Sequence, residues 1–575
     1  MWDLTSEQRQ AGKKAFDEAV RHTRRDFLKQ AALAGMVSGG SLGAFYFGYQ
    51  TTLSKPVRVG ILGTGDQGSV LIGAMNPEFL EVRAIADLRP YNLHRAFEGD
   101  WYSPETMSAR PGLMAKYGWK TRQEAEKHVA VFRDYNELLE AAKELGLEAV
   151  IIALPLHLHA PAALKAMEKG LHVFTEKLMA RTVGQCKDMA RMAKQKGLYL
   201  AVGHQRHYNI LYQEAVDIIR RGLIGDLHYI RAQWHRGNLP GADSWAMPLP
   251  PGIKDPKQDP QANRLAEELE SWKRRLAEAK RRGSLAEILE WEKKVAQKEA
   301  QIADGELTNK AHQYGYEDKV YKNEKGEVVY YRPAIEELIR WRLWDRTSGG
   351  LMAELGSHQL DAAGIFISAA HGGVKQWPLN VVASATRPLF PPDREIEDHI
   401  CCIIEFPAPG YVPDDPVHGR KKIAVQYASI NGNGFGGYGE VVFGTEGTLI
   451  LEREKESMLF REGGESRIGT AGGGGPTLDT QATDVAQRAE AGGPDREVSR
   501  GYAEELEHWA WCIRNPAPEN QPRCHPEVAL VDAVIALTTN IAGREGRRIV
   551  FQPAWFDIHR DETPEGIPPT IRDEG

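Results

Sequence analysis

Apolar and polar positions along this chain fall into two regimes. Between residues 57 and 202, short apolar runs at 57–62, 82–86, 149–154, 172–175 and 198–202 alternate with helical patterns at 161–169 and 183–196. Strands spaced by helices predict right-handed crossovers and a doubly wound parallel sheet. A polar insertion at 98–128 interrupts this series. Further on, 227–234, 380–387, 399–406, 422–430, 440–443 and 448–452 are rich in β-branched and aromatic residues and are separated by Gly, Pro and Asn. That pattern predicts an open, mostly antiparallel sheet, with helices at 502–514 and 526–542 covering part of it. The predicted class is therefore α/β followed by α+β.

A charged insertion at 241–344 separates the two regimes. Leu265, Leu269, Trp272 and Leu276 recur at helical spacing, and after Arg282-Gly283-Ser284 a second run carries Leu285, Ile288, Val295 and Ile302. These predict an antiparallel helical hairpin with a narrow apolar seam, packed on itself, on its own domain or on a partner subunit. A β-hairpin at 319–332 follows, turning at 323–326, and a glycine-rich loop is expected at 472–476. The organisation predicted is 1–54 as leader and linker, 55–208 as a Rossmann domain, and 209–575 as a second domain bearing the insertion.

The first strand runs into Gly63-Thr64-Gly65-Asp66-Gln67-Gly68, and Asp87 closes the second strand. Gly63 suits a tight turn, Gly65 lets backbone amides approach a pyrophosphate, and Gly68 permits close helix–strand packing. The helix N-terminus that follows favours phosphate charge. A merely structural turn would need neither the helix start nor an acid about 20 residues on. The pattern predicts a bound nicotinamide dinucleotide. NAD is favoured over NADP because Asp87 would repel a 2′-phosphate, with Arg89 nearby to soften the repulsion.

At 575 residues the chain exceeds one ordinary core. A net charge of −7 offers no broad basic surface, so nucleic acid is not an expected partner. The five cysteines lack zinc-site spacing and their odd number argues against a disulfide scaffold; no metal is expected. Free thiols are expected, with Cys512–Cys524 as the alternative bridge. Near the N-terminus, Thr23-Arg24-Arg25-Asp26-Phe27-Leu28-Lys29 precedes an uncharged, Ala- and Gly-rich stretch at 30–49. This resembles a twin-arginine export signal, and the competing reading is a basic helix beside an apolar helix of the fold. The resemblance implies the twin-arginine translocation machinery as a partner and a periplasmic location. Ser41-Leu42-Gly43 is a fair cleavage site; uncleaved, the segment would anchor the protein to the membrane.

Val150-Ile151-Ile152-Ala153-Leu154-Pro155-Leu156-His157-Leu158-His159 and Gly170-Leu171-His172-Val173-Phe174-Thr175-Glu176-Lys177 resemble the glucose–fructose oxidoreductase and inositol dehydrogenase (Gfo/Idh/MocA) family. The resemblance runs from Lys55 to about Pro553, insertions excepted. It implies a site between the two domains, with Leu154, Pro155, His157, His159, Glu176 and Lys177 shaping the nicotinamide pocket. It also implies that Glu354-Leu355-Gly356-Ser357-His358-Gln359-Leu360-Asp361 is the second-domain signature. On a helix, positions 354, 358 and 361 would share one face. Leu178 stands where the family has proline, so a cis peptide there is not implied. Glu354 replaces the family's aspartate.

The activity implied is oxidation of a secondary alcohol of a sugar, glycoside or cyclitol by an exported NAD(P)-dependent enzyme, with the cofactor tightly retained and the protein a homo-oligomer. His358 is the preferred base, since an imidazole needs little shift to act near neutrality. Lys177 would hydrogen-bond the reacting oxygen, and Glu354 would orient His358 or bind a neighbouring hydroxyl. Arg206, Tyr208, Trp234, His235 and Arg236 are candidate sugar contacts, each equally open to ordinary packing, with Asp361 behind the catalytic pair. Two other readings stand beside this one: an NAD-dependent glycoside hydrolase using transient oxidation and elimination, and a dinucleotide-binding scaffold without catalysis.

Overall fold

A computed structural model describes residues 4–33, 42–50, 52–461 and 500–573. In the first half, β1 (Val57–Leu62), β2 (Leu80–Ala86), β3 (Ala130–Phe132), β4 (Ala149–Ile152), β5 (His172–Glu176) and β6 (Leu200–Gly203) form one sheet in the order β3-β2-β1-β4-β5-β6. Every pair in it is parallel. Helices cover both faces, which is why β4 is buried at all four positions and reads as a continuous apolar run. Strand order reverses between β1 and β4, and ligands in such sheets sit beyond the carboxyl ends at that point. The 98–128 insertion folds as three short helices, Pro104–Ala109, Gly112–Tyr117 and Arg122–Ala125.

The second sheet is built from β7 (Leu227–Trp234), β10 (Asn380–Thr386), β11 (His399–Pro407), β12 (Lys422–Ile430), β13 (Tyr438–Gly444), β14 (Gly447–Glu452), β15 (Glu456–Arg461) and β16 (Ile549–Val550). The β8–β9 hairpin (Lys319–Lys322, Val328–Arg332) lies apart from it. The order is β15-β14-β13-β7-β12-β11-β10-β16, and only the β7–β12 pair is parallel. Burial alternates along β11 and β12. Ile400, Cys402, Ile404, Val425 and Tyr427 face the helices Ser357–Ala370 and Pro526–Glu545, each large apolar side chain contributing roughly 1.5–3 kcal/mol. The opposite face leaves Val382 and its register partner Ile403 exposed. Pro526–Glu545 is long and apolar enough to cross a membrane, yet 78% of its apolar window is buried against this sheet and its neighbours, as befits a core helix. All five cysteines are free thiols, so Cys512 and Cys524 are not bridged.

The charged insertion forms the expected hairpin, Arg264–Arg282 and Leu285–Ala303, turning at Gly283 with φ +71°. Its seam is only partly used: Leu265 is fully buried, whereas Leu285 at the tip is 83% exposed. The hairpin crosses to the first domain and docks on the helix Pro90–Glu98. Lys293 Nζ meets Glu98 at 2.6 Å, Gln297 bonds Trp101 N and Asp100, and Asp304 bonds Arg89 and Tyr91 N. An apolar cluster of Leu249, Leu307, Ala311, Tyr316, Ile335 and Leu338 takes in Leu88, the residue after Asp87. The insertion therefore ties the two domains together.

The N-terminal helix Ser6–Leu33 lies along β15. Gly12 allows this approach, because a Cβ there would sit 2.6 Å from Phe460. Phe16 and Val20 are buried in the main core, and Arg9 meets Glu452 at 2.6 Å. Covering an edge strand in this way removes a template for unwanted pairing. The backbone of 23–29, carrying the arginine pair, continues the helix. Residues 34–41, including Ser41 of the candidate cleavage site, and the 472–476 loop lie outside the described residues. Further along, Phe47 stacks edge-on to Tyr208, and Tyr49 donates to Glu507 at 2.7 Å. Phe16→Ala is expected to lower unfolding free energy by about 3 kcal/mol. Chemical denaturation checks this, and an unchanged midpoint would mean that the helix does not pack there.

Candidate active site

One cleft of about 290 Å³ runs from the glycine turn to the junction of the two domains. At its first end Gly63 holds φ +87°, and a Cβ there would come within 2.5 Å of Ala153 O. A Cβ on Gly68 would meet Gly63 O at 2.2 Å, so this glycine serves helix–strand contact. Gly65 differs: its nearest neighbour would be Asn92 Nδ2 at 3.6 Å, so the backbone there faces open space in the cleft. Asp87 fastens the end of β2 to this turn. Its carboxylate accepts from Thr64 N at 2.8 Å, Arg89 N at 2.9 Å and Asn92 Nδ2 at 3.1 Å.

Asp66 is the first residue of the helix Asp66–Ala74. Burial opposes its ionisation, but Arg110 and Arg95 overcome that and hold the carboxyl well below the usual range. Arg95, itself buried, bridges Asp66 at 2.7 Å and Asp100 at 3.0 Å. The acid beside the glycine turn is thus neutralised from behind, which keeps the helix N-terminus suited to an anion. These features fit a dinucleotide: an open backbone cradle, a helix start, and a hydroxyl-accepting carboxylate at the end of β2.

At the other end Gln67 Nε2 donates to Glu176 Oε1 at 2.7 Å, and Lys177 N donates to Glu176 Oε2 at 3.2 Å. Burial pushes the Glu176 carboxyl up to about 7. The Lys177–Leu178 peptide is cis although no proline follows the lysine. His159 is buried between Leu178 O at 2.8 Å and Leu154 O at 2.9 Å. It joins the loop after β4, with Leu154 and Pro155 at the cleft, to the segment bearing Lys177. Burial lowers its pKa and favours the neutral ring, which can donate to only one of the two carbonyls. His157 is not among the residues lining the cleft but meets one of them, Tyr316, edge-on at 5.8 Å; burial pushes it down to about 4.

The second domain enters through Met352–Gly356, a π-helical turn that leads into the helix Ser357–Ala370. The simple α-helical spacing expected of 354, 358 and 361 is therefore broken between the first two. In this turn Ser357 N bonds Met352 O, one residue further back than in an α-helix. Ala353 O is released to other donors and accepts from Ser357 Oγ at 2.8 Å and Lys177 Nζ at 3.2 Å. Lys177 Nζ also reaches Glu354 O at 2.7 Å. The Glu354 carboxylate pairs with Arg342 Nε at 2.7 Å and not with His358.

His358 lines the cleft, 6% exposed, with its ring 5.4 Å from Trp234, which stacks on Tyr438 at 4.4 Å. Burial first, then the positive charges of Lys177 and Arg206, holds its pKa well below 6.5. The ring is a neutral base at physiological pH.

Of the five candidate sugar contacts and Asp361 behind them, only Trp234 lines the cleft. Arg206 is fully buried behind it, bound to Glu454 at 2.9 Å and Glu440 at 3.2 Å. Tyr208 OH meets His508 Nδ1 at 2.7 Å. Arg236 lies over Trp245 and bonds Ser244, and His235 stands outside the lining. Asp361 is wholly buried, with His207 Nε2 at 2.8 Å, His204 Nδ1 at 3.7 Å and Lys375 Nζ at 3.8 Å. Cys524 and Asp532 lie close to His204 in a donor set of metal-binding type, but Lys375 sits at 3.0 Å from Asp532 and already supplies a cation. Residues not anticipated from sequence also line the cleft: Asn92, Arg95, Trp341, Arg342, Tyr314 and Tyr502. Asn92 and Arg95, on the helix Pro90–Glu98 that follows Asp87, carried a legible signal; Tyr314, Trp341 and Arg342 come from the insertion and Tyr502 from a distant helix.

Gly65→Ala and Gly68→Ala separate binding from folding. Gly65→Ala is expected to leave thermal stability nearly unchanged and to weaken NAD binding by about tenfold or more, whereas Gly68→Ala should lower the melting temperature. Calorimetric titration with NAD and thermal denaturation of both variants check this.

Residues 57–204 match the model described as the Gfo/Idh/MocA oxidoreductase family, NAD-binding Rossmann fold. Over 179 residues the chain is 27% identical to a Glycosyl hydrolase family 109 protein of Stenotrophomonas maltophilia, a match covering 31% of this chain and 36% of that relative. The chain spans less than half the length of the curated relatives it matches first. Among solved structures, it is similar to an aldose-aldose oxidoreductase from Caulobacter crescentus crystallised with glycerol (17% identity, TM-score 0.48, 86% of this chain and 100% of that one). It is also similar to an inositol dehydrogenase homologue from Azotobacter vinelandii crystallised with NADH and myo-inositol (13% identity, TM-score 0.49, 87% and 98%). The first domain of this chain thus resembles the NAD-binding Rossmann fold of the Gfo/Idh/MocA oxidoreductase family over residues 57–204.

Proposed function

We propose that this protein is an NAD-dependent oxidoreductase acting on a secondary alcohol of a sugar or polyol. The observation that carries the reading is the convergence of Lys177 from the first domain and His358 from the second on one cleft that begins at the glycine turn. Bound in that cleft, the dinucleotide supplies hydride acceptance from the alcohol carbon. The protein's share is positioning and proton handling. The ammonium of Lys177, held by two backbone carbonyls, stands ready to donate a hydrogen bond to the alcohol oxygen as negative charge develops there. Neutral His358 accepts the hydroxyl proton. Glu354, paired with Arg342, sets the wall of the substrate end, and Trp234 offers an aromatic face to the C–H surface of a sugar. Retention of the cofactor is favoured by the insertion, which places Gln313, Tyr314 and Tyr316 along the cleft.

A second reading, the NAD-dependent glycoside hydrolase, is favoured by the Stenotrophomonas relative's name. The same base and ammonium would then serve transient oxidation, followed by elimination of the leaving group. Cleavage of a nitrophenyl glycoside without net NADH formation selects this reading; stoichiometric NADH selects the first.

The proposal extends to export by the twin-arginine route. The burial of Phe16 and Val20 favours keeping the N-terminal segment in the mature protein. Intact mass of the exported chain tests this: a full-length species is expected, and a chain starting beyond residue 41 contradicts it. The exposed Val382–Ile403 face of the second sheet suits a second copy of the chain.

Lys177→Ala and His358→Ala are expected to bind NAD as the parent does and to lose turnover by about 100-fold or more. Turnover undiminished in either would remove these roles. Because the folded pKa of His358 is depressed, its base form persists as pH falls below 6.5. The acid limb of kcat/KM is accordingly expected below pH 6.5, and a limb above that value would exclude His358 as the base.

A further inference from the structure

The cleft carries two arginines beside Asp87, at the end where the first two strands stop. Arg89 follows β2 and Arg133 follows β3, and both line the cleft. In dinucleotide folds an arginine at this place accommodates a 2′-phosphate, while an acid holds the free ribose hydroxyl. Sequence alone leaves the two tendencies opposed, since Asp87 and Arg89 stand two residues apart.

The fold resolves the opposition through the insertion. Its single turn Asp304–Leu307 supplies an acid to each arginine. Asp304 Oδ2 accepts from Arg89 Nε at 2.8 Å, and Glu306 Oε1 meets Arg133 Nη2 at 2.9 Å. Asp304 is 1% exposed and fixed from its other side by Tyr91 N at 3.0 Å. Leu88, between Asp87 and Arg89, packs into the insertion's apolar cluster, so the whole segment after β2 is held in this arrangement. The Arg133–Glu306 pair is nearly half exposed and screened by solvent, so most of the effect rests on Asp304.

We infer that the Asp304–Leu307 turn is a specificity element: by neutralising Arg89 and adding a second buried carboxylate near Asp87, it makes the site select the dinucleotide without a 2′-phosphate. The inference rests on the dinucleotide reading of the cleft given above. It assigns the insertion a role in ligand choice as well as in holding the domains together.

Asp304→Asn keeps the size of the side chain and the acceptor for Tyr91 N while removing the charge. Dissociation constants for NAD and NADP, measured by calorimetric titration without any substrate, give the readout. The parent protein is expected to prefer NAD, and Asp304→Asn to bind NADP about tenfold more tightly with NAD affinity little changed. An unchanged NADP/NAD ratio in a variant that binds NAD normally overturns the inference while leaving the cofactor reading intact. A parent protein that binds neither dinucleotide overturns both. Arg89→Ala added to Asp304→Asn provides a second arm. The double variant should lose the gain in NADP affinity, because that gain comes from the guanidinium released by Asp304→Asn, and a gain that persists in the double variant would overturn the role given to the Arg89–Asp304 pair.

Discussion

The candidate active cleft depends on one contact across the domain boundary: the Lys177 ammonium held by the carbonyls of Ala353 and Glu354. Lys177 leaves the carboxyl end of β5, whereas the carbonyls belong to a turn far along the chain. The contact exists because the Met352–Gly356 turn is π-helical and releases Ala353 O from its usual amide partner. A regular α-helix would have satisfied that carbonyl internally. The irregular turn thereby converts backbone polarity into a socket for a cation, and the same turn delivers His358 to the cleft two residues after it ends.

Burial sets the protonation states around that socket. His358 is kept neutral by burial and by the charge of Lys177. Glu176 is raised to about 7 by burial, even though Gln67 and the Lys177 amide oppose the shift. Behind these groups Asp361 is ionised: burial resists this, and His207 and His204 outweigh it. Asp361 therefore supports the helix bearing His358 and does not face the cleft. At the opposite end, Asp66 is neutralised by Arg95 and Arg110, so that the glycine turn presents amides and little net negative charge. Water-poor surroundings make each of these choices costly to reverse, since an unpaired buried charge has no solvent to fall back on.

Much of this was legible in the sequence, and the illegible parts share a cause. β1, the helix Val183–Lys196, β7, β12 and the helix Tyr502–Arg514 stand at the residues their periodicity marked. The glycine turn and Asp87 declared themselves through local spacing, because turn geometry and strand ends are local properties. The partners of Arg206 and Asp361 did not. Glu440 and Glu454 reach Arg206, and His207 and Lys375 reach Asp361, from other parts of the chain, and no periodicity encodes such meetings. Arg206 and Tyr208 look like sugar-binding residues by type, yet lie buried in ion pairs and hydrogen bonds. The hairpin at 264–303 was visible as amphipathic helices. Its docking on the first domain was not, because that rests on a few polar groups such as Gln297 and Asp304, placed by the hairpin's length.

The central claim is that one dinucleotide spans the cleft, with its phosphates at the glycine turn and its reactive ring between Lys177 and His358. A crystal structure of the protein with NADH tests it most directly. The account predicts a ligand running from Gly65 to the gap between those two side chains. A dinucleotide bound elsewhere, or a nicotinamide ring remote from both residues, would contradict it.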